Sequence, residues 1–480
     1  MMEDSNEVVE FLSSLRRVVG SANVLTGDDA VPYLTDWRRY TTGSALAVVR
    51  PETTEEVAAV VRCCAKADWP IVPQGGNTGQ VAAATPDKSG RAVVISLQRM
   101  RRIRAIDTDN DTMTVEAGCI LQELQQAAQD ADRLFPLSLG AEGSCTIGGN
   151  LATNAGGTQV LRYGNARELA LGLEVVTPQG EIWNGLRGLR KDNTGYDLRD
   201  LYIGSEGTLG IITAAVLKLF PLPRASRTAL IVTESLTKAT EMLNVARAHL
   251  GPALTAFEVM SSACLRCVVD TYPQQHLPIE GPPDAWYALL ELSDSEGEEH
   301  AQDRFEAVLS EAMDNGILLD AAVAMSQSQT EAFWHLRESI TLALADTGYC
   351  VKHDISLPVS SIDTFVTQTD LALTQTFPGV RMMVFGHLGD GNLHYNLLLP
   401  TGIEASAVQT TEAAIQALVH DRVHHMGGSI SAEQGVGQRR IADMLRYKDP
   451  IELALMQRIK QALDPQRIMN PGKVLPPNAP

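Results

Sequence analysis

No apolar run in the 480 residues approaches the ~20 consecutive positions that a membrane-spanning helix needs. A transmembrane segment is therefore not expected. Basic residues are outnumbered, 39 Lys and Arg against 58 Asp and Glu, for a formal net charge of -19. The chain thus lacks the cationic stripe that releases counterions from nucleic acid, and an anionic lipid surface would repel it. No nucleic-acid partner is expected. Cysteine forms no framework either: there are seven, an odd number, two of them adjacent at Cys63 and Cys64. That usage suits a reducing compartment. Cys264 and Cys267 make a CxxC, but no second pair follows, so two neighbours on one helix is the simpler account. The opening MMEDSNEVVEFLSSL has the acidic, helical pattern of an ordinary first helix, unlike a secretory signal, and a cytoplasmic location is expected.

What is present describes a folded globular protein. A 44% hydrophobic share with 20% charged residues supplies a large core, and 480 residues usually divide into two or more domains. In the first half, ETTEEVAAVVRCCAKADW combines the capping-box spacing of Thr53 and Glu56 with Val57, Val60, Val61 and Cys64 at helical intervals. Strand signals follow in PIVPQGGNTG, RAVVISL and DTMTVEAG, then a helical run over 121–131. GLEVVTPQGEIW reads as a hairpin turning at Pro178 to Gly180. This is α+β organisation. Pro221 to Pro223 marks a candidate boundary, after which longer helical patterns (SLTKATEMLNVARAHL, QTEAFWHLRESITLALADTG) alternate with strands (AWYALLEL, RMMVFGHLG) to about residue 425. The expected division is 1–222, a second α/β domain at 223–425, and a closing segment at 426–480.

Three segments are rich in small residues. PQGGNTG, Pro73 to Gly79, lacks the Lys-Ser/Thr of a P-loop and the spacing of a dinucleotide GxGxxG, yet its backbone amides suit an anion nest. GAEGSCTIGGNLATNAGG, Gly140 to Gly157, allows close approach of an extended ligand. GSEGTLGIIT begins at Gly204 and enters a buried strand. In that order, the three resemble the FAD-binding domain of the vanillyl-alcohol oxidase superfamily. Later motifs narrow the resemblance to D-2-hydroxyacid dehydrogenases of the D-2-hydroxyglutarate and D-lactate type, and it covers nearly the whole chain.

The resemblance implies a two-subdomain FAD-binding domain, an α/β substrate (cap) domain, and a C-terminal segment that returns to the flavin. Pro73, Gln74, Gly75, Gly76, Asn77, Thr78 and Gly79 would hold the FAD pyrophosphate. Thr146, Gly148, Gly149 and Asn154 would lie along the flavin and ribityl chain, with Gly210 and Ile212 at the adenine end. Pro136 belongs to the same implied set, and NPGK would bring Asn470 near the ring. Asn77 stands where many relatives carry a flavin-linking histidine, and Cys145 falls out of register with the cysteine of bicovalent relatives. Dissociable FAD is expected.

GHLGDGNLHYN, Gly386 to Asn396, raises a metal question. With Asp390 and Gly391 at a turn, His387 and His394 are expected opposite each other on flanking strands, with His394 and Asn396 on one face. Two imidazoles alone underdetermine a site, because hydrogen-bonded histidines of a hairpin explain them equally well. The resemblance adds Glu433 from SAEQGVG as third ligand of a zinc-like ion. Arg337 and Thr341 share a helical face at i and i+4, and Lys352 begins the next element. Solvated charge is the ordinary explanation. The resemblance assigns these three to the substrate carboxylate, with Asn396 orienting it, and such a set suits a dicarboxylate such as D-2-hydroxyglutarate or D-malate better than D-lactate.

The implied reaction oxidises a D-2-hydroxy acid to its 2-oxo acid by hydride transfer to FAD, with electrons leaving to an electron-transfer flavoprotein or a quinone; a homodimer is also expected. In relatives the base is the histidine of an EHG motif. Here the sequence reads EQG, and Gln434 does not titrate near neutral pH. Three accounts stay open: another base, for which His353 is a candidate, an altered substrate, or a substituted residue. An oxygen-using oxidase and a catalytically impaired flavin-binding homologue are the alternatives.

Overall fold

The structure is a computed structural model and describes residues 2–476. The chain divides into two compact units, one of 1–157, 164–222 and 433–480, the other of 158–163 and 223–432. The first break falls within the Pro-containing stretch. The closing segment re-enters the first unit at Glu433, several residues past the expected 426, and the short insertion at 158–163 carries no compositional signal at all.

In the first unit, parallel strands Ala45–Val49, Ala92–Ser96 and Ile71–Gln74 form a sheet that Val24–Leu25 extends antiparallel. Period two sorts its side chains: Ala47, Val49, Val93 and Ile95 join the core beneath helices Met2–Val19 and Thr54–Ala67, while Val48, Val72 and Val94 form a second cluster. Thr53 caps the helix as its spacing with Glu56 suggests, its Oγ1 accepting from Glu56 N at 3.2 Å, while the Glu56 carboxylate reaches one residue further back, to Glu52 N at 2.7 Å. A second, antiparallel sheet runs Ile103–Asp107, Thr112–Glu116, Ile211–Lys218, Ala170–Val176, Ile182–Gly185. The last pair is the hairpin read from GLEVVTPQGEIW.

The second unit holds an eight-stranded sheet whose pairings are all antiparallel. Helices cover both faces, as strands with two buried sides require. In Ala225–Thr233, Ala229 and Ile231 pack with helices Leu236–Leu250 and Glu298–Asp314, whereas Leu230 and Val232 pack with Ser262–Thr271 and Gln327–Thr347. Cys264 and Cys267 are buried on Ser262–Thr271 as core residues of one helix. Among the described residues no helix is long and apolar enough to cross a membrane.

Candidate functional site

In the first unit, the turn leaving Ile71–Gln74 is anchored by Gln74, whose Nε2 donates to Tyr33 O (3.0 Å) and Ala84 O (2.8 Å). Gly75 and Gly76 then run too close to their neighbours for any side chain. A Cβ on Gly75 would intrude on Thr146 Oγ1, and one on Gly76 would intrude on the Ser144 carbonyl oxygen. Asn77 takes the left-handed conformation (φ 54°), with Nδ2 donating to Thr35 O at 2.8 Å, and Gly79 faces open space. Pro73 and Thr78 flank this bend, and the Pro73 ring lies under Gly207, where a Cβ would come within 3.0 Å.

Thr146 stands at the N-cap position of Ile147–Thr153 without a side-chain capping bond; within that helix Gly148 sits so close to Ala117 that a Cβ would approach its side chain to 2.6 Å, with Gly149 beside Thr146. Asn154 ends that helix at φ 51° and its Oδ1 accepts from Arg167 N at 2.9 Å. Asn470 arrives from the C-terminal tail. Its N–H donates to Ile71 O (2.8 Å), and its Nδ2 to Ala83 O (3.0 Å) and Glu206 O (2.7 Å). Pro136 is buried, Gly210 presses against Val176 O, and Ile212 is buried opposite Val175. Among the described residues, the buried oxygens Thr146 Oγ1, Asn150 Oδ1 and Asn470 Oδ1 in this region have no hydrogen-bond partner. Orphaned polar atoms beside close-approach glycines fit a polar ligand such as a flavin nucleotide. Cys145 is buried, and burial pushes its thiol pKa up, making it a poor nucleophile for covalent attachment.

The segment after Glu433 is held by a carboxylate that belongs to none of the sequence motifs. Glu206 is buried and accepts from Val436 N (2.7 Å) and Gly437 N (2.8 Å). Burial pushes its pKa up to about 7, against the opposing pull of those two amides and Lys473. Burial likewise pushes the nearby Lys473 down to about 8. Glu433 Oε1 accepts from Gly157 N at 2.8 Å, and a Cβ on Gly156 would come within 2.9 Å of the same oxygen. Gln434 lies half-buried between Glu433 and the clamped amides.

In the second unit, Arg381–His387 and Asn392–Leu398 form the histidine hairpin. The register differs from the expectation by one pleat. His387 faces Asn392, and His394 faces Phe385, because four residues, Leu388 to Gly391, make the turn. The histidines are therefore diagonal neighbours, still on one face, with ring centroids 5.4 Å apart. Burial pushes His394 down to about 3, with His387 the next cause, so its imidazole is neutral at pH 7 and keeps a lone pair.

The same face carries an acid. Glu258, on Leu254–Ser261, pairs in register with His387 and is wholly buried, its Oε1 2.6 Å from His387 Nδ1. Its Oε2 accepts from Arg337 Nε at 2.7 Å, and the guanidinium lies 4.8 Å over the Phe385 ring. Burial alone would raise the Glu258 carboxyl; His387 and Arg337 hold it below the ordinary range instead. Arg337 is thus a buried, paired cation, in contrast to the solvated charge its spacing first suggests. Thr341 lies half-buried one turn further along Gln327–Thr347, and Lys352 half-buried just past Cys350–Val351. Asn396, on the His394 face, accepts from His353 N at 3.2 Å. His353 itself is buried against Tyr395 and His420, its Nδ1 2.7 Å from Tyr395 O, which suits a structural histidine.

Ala432 N donates to Asp354 O at 3.2 Å, which fastens the last residue of the second unit. Within the second unit, His387 and His394 each offer an imidazole nitrogen on the same sheet face. Two imidazoles on one face are donors that suit a divalent metal, which needs at least one further ligand. The signal for Glu258 and Glu206 was available as an acid inside an apolar strand or turn. It does not discriminate, because Glu174 answers the same description and is satisfied structurally by Thr54, Arg104 and Thr213.

Known proteins match along nearly the whole chain. Residues 45–185 match the FAD binding domain family, and residues 222–474 match the family described as FAD linked oxidases, C-terminal domain. The mitochondrial D-2-hydroxyglutarate dehydrogenase of Rattus norvegicus is 40% identical over 92% of this chain and 81% of its own length. The D-2-hydroxyglutarate dehydrogenase of Xanthomonas citri pv. viticola is 36% identical over 96% of both chains. In fold, the chain is similar to p-cresol methylhydroxylase (TM-score 0.77, 18% identity, 98% of this chain and 96% of that one). It is also similar to 4-ethylphenol oxidase from Gulosibacter chungangensis (TM-score 0.74, 18% identity, 98% and 97%). The chain therefore belongs to the FAD-linked oxidases, as an FAD-binding oxidoreductase of the vanillyl-alcohol oxidase fold that groups by sequence with D-2-hydroxyglutarate dehydrogenases.

Proposed function

We propose that this protein oxidises a D-2-hydroxy acid, D-2-hydroxyglutarate foremost, to the 2-oxo acid, using dissociable FAD and a divalent metal such as zinc. The observation that carries the reading is the cluster of His387, His394, Glu258 and Arg337 on one sheet face, in a chain of this family. When bound, FAD supplies the hydride acceptor for the substrate Cα. A metal held by His387, His394 and Glu433 would supply Lewis acidity toward the substrate hydroxyl.

The chain's own residues do the rest. Arg337 spends Nε and Nη2 on Glu258, so Nη1 is the edge left for a substrate carboxylate. Thr341, Lys352 and Asn396 complete the recognition set, and a dicarboxylate uses it more fully than D-lactate would. Asn396 is held by the His353 amide and so presents a fixed orientation. Gln434 hydrogen-bonds at the position of the family's base without accepting a proton. Slow turnover follows, because a positioned base contributes roughly 100- to 10,000-fold. D-malate or D-lactate oxidation, an oxidase that releases peroxide, and an impaired flavin-binding homologue are the competing readings; the last is the one that Gln434 favours. Electrons pass on to a carrier such as an electron-transfer flavoprotein or a quinone.

The test is an anaerobic titration of the flavin spectrum with D-2-hydroxyglutarate, D-malate and D-lactate, before and after chelation. Bleaching by D-2-hydroxyglutarate that is lost with the chelator is expected. A flavin that none of the three acids reduces, even after long incubation, would overturn the reading.

A further inference from the structure

We propose that Glu258 is a positioning residue that sets metal affinity through His387 and substrate affinity through Arg337, one buried carboxylate orienting both. The inference rests on the metal reading above.

Glu258 is the acid in the strand Leu254–Ser261, whose neighbours Phe257, Val259 and Met260 belong to the two apolar cores. An uncompensated charge there would be prohibitive, so its partners define its purpose. Both oxygens are engaged: Oε1 with His387 Nδ1 at 2.6 Å, and Oε2 with Arg337 Nε and Nη2, each at 2.7 Å. A carboxylate only accepts, so Nδ1 of His387 must carry a proton, which leaves Nε2, turned away from Glu258, as the nitrogen that can face a metal. That is the tautomer a metal ligand needs.

Among the described residues, none restrains His394 equally. Its Nδ1 lies 3.9 Å from Asp354 Oδ1, outside hydrogen-bond range, and that oxygen already accepts from Asn392 Nδ2 at 3.0 Å. His387 is accordingly the ligand whose orientation is built in. Glutamine at 258 could not reproduce the arrangement. Its one carbonyl oxygen would serve either His387 or Arg337, and its NH2 would face a donor on the other.

The experiment measures zinc binding directly, by competition with a chromophoric chelator, on flavin-loaded wild type and on the E258Q, R337M and H387Q variants. E258Q is expected to bind zinc about 10- to 100-fold more weakly and to raise KM for D-2-hydroxyglutarate. R337M, which keeps the Glu258–His387 bond, is expected to raise KM with zinc affinity little changed. Zinc affinity in E258Q equal to wild type, with H387Q impaired, overturns this inference and leaves the metal reading standing. H387Q binding zinc as tightly as wild type overturns the metal reading itself. Should E258Q fail to fold, 15N-histidine NMR of metal-free wild type decides, with His387 assigned by its loss in H387Q. An Nδ1–H tautomer supports the proposal, and an Nε2–H tautomer overturns it.

Discussion

Replacing Glu206 by glutamine tests how the loop that carries Glu433 and Gln434 is held. An acid whose native pKa lies above its unfolded value binds more protons folded than unfolded between the two. Glu206 is raised from 4.5 to about 7, so its contribution is most favourable below pH 4.5 and declines as pH rises to about 7. The difference, roughly 2.5 units at ~1.4 kcal/mol each, is about 3 kcal/mol. Glutamine cannot ionise and keeps one oxygen for Val436 N or Gly437 N, which lie 2.7 and 2.8 Å from the present carboxylate. Relative to E206Q, wild type should therefore lose about 3 kcal/mol of stability between pH ~4.5 and ~7. Urea unfolding at fixed free FAD, followed by flavin fluorescence, reads the first unit, and comparing the two proteins cancels the titrations they share. A stability gap that stays constant within about 0.5 kcal/mol across that window would refute the assignment of a buried, reluctantly ionised carboxylate.

Three further outcomes are expected. Changing Gln434→His should accelerate anaerobic flavin reduction by D-2-hydroxyglutarate roughly 100- to 10,000-fold in stopped flow, and no acceleration would count against a missing base. Gly76→Ala drives a methyl into the Ser144 carbonyl, which costs about 1 to 3 kcal/mol and should weaken FAD binding about 10- to 100-fold by fluorescence titration. Lys460 Nζ donates to Asp464 Oδ2 (2.6 Å), Thr208 O (2.6 Å) and Met469 O (2.8 Å), fastening the tail that carries Asn470. Lys460→Met strands a fully buried Asp464 charge and should cost about 3 to 5 kcal/mol in urea unfolding; under 1 kcal/mol would show the bonds to be incidental.

Local signals were legible. Thr53 and Glu56 announced a capped helix, and Pro178 to Gly180 a hairpin, because caps and turns depend on residues a few positions apart. Strand alternation likewise put His387, His394 and Asn396 on one face. The hairpin register differs from the sequence expectation by one pleat, since glycine at 389 and 391 permits more than one turn length and only pairing with Leu254–Ser261 selects among them.

By itself, then, the sequence determined the family, the glycine loop, the helix and strand pattern, and the histidines' shared face, all of which are local chemistry or matched motifs. Tertiary structure alone decided that 158–163 joins the second unit, that Glu206 clamps the amides after Gln434, and that Glu258 ties His387 to Arg337. The physical reason is separation along the chain. Residues 79 and 129 positions from Glu258 become its partners only when strand register and helix packing bring them to one buried carboxylate, and nothing in a local window encodes that meeting.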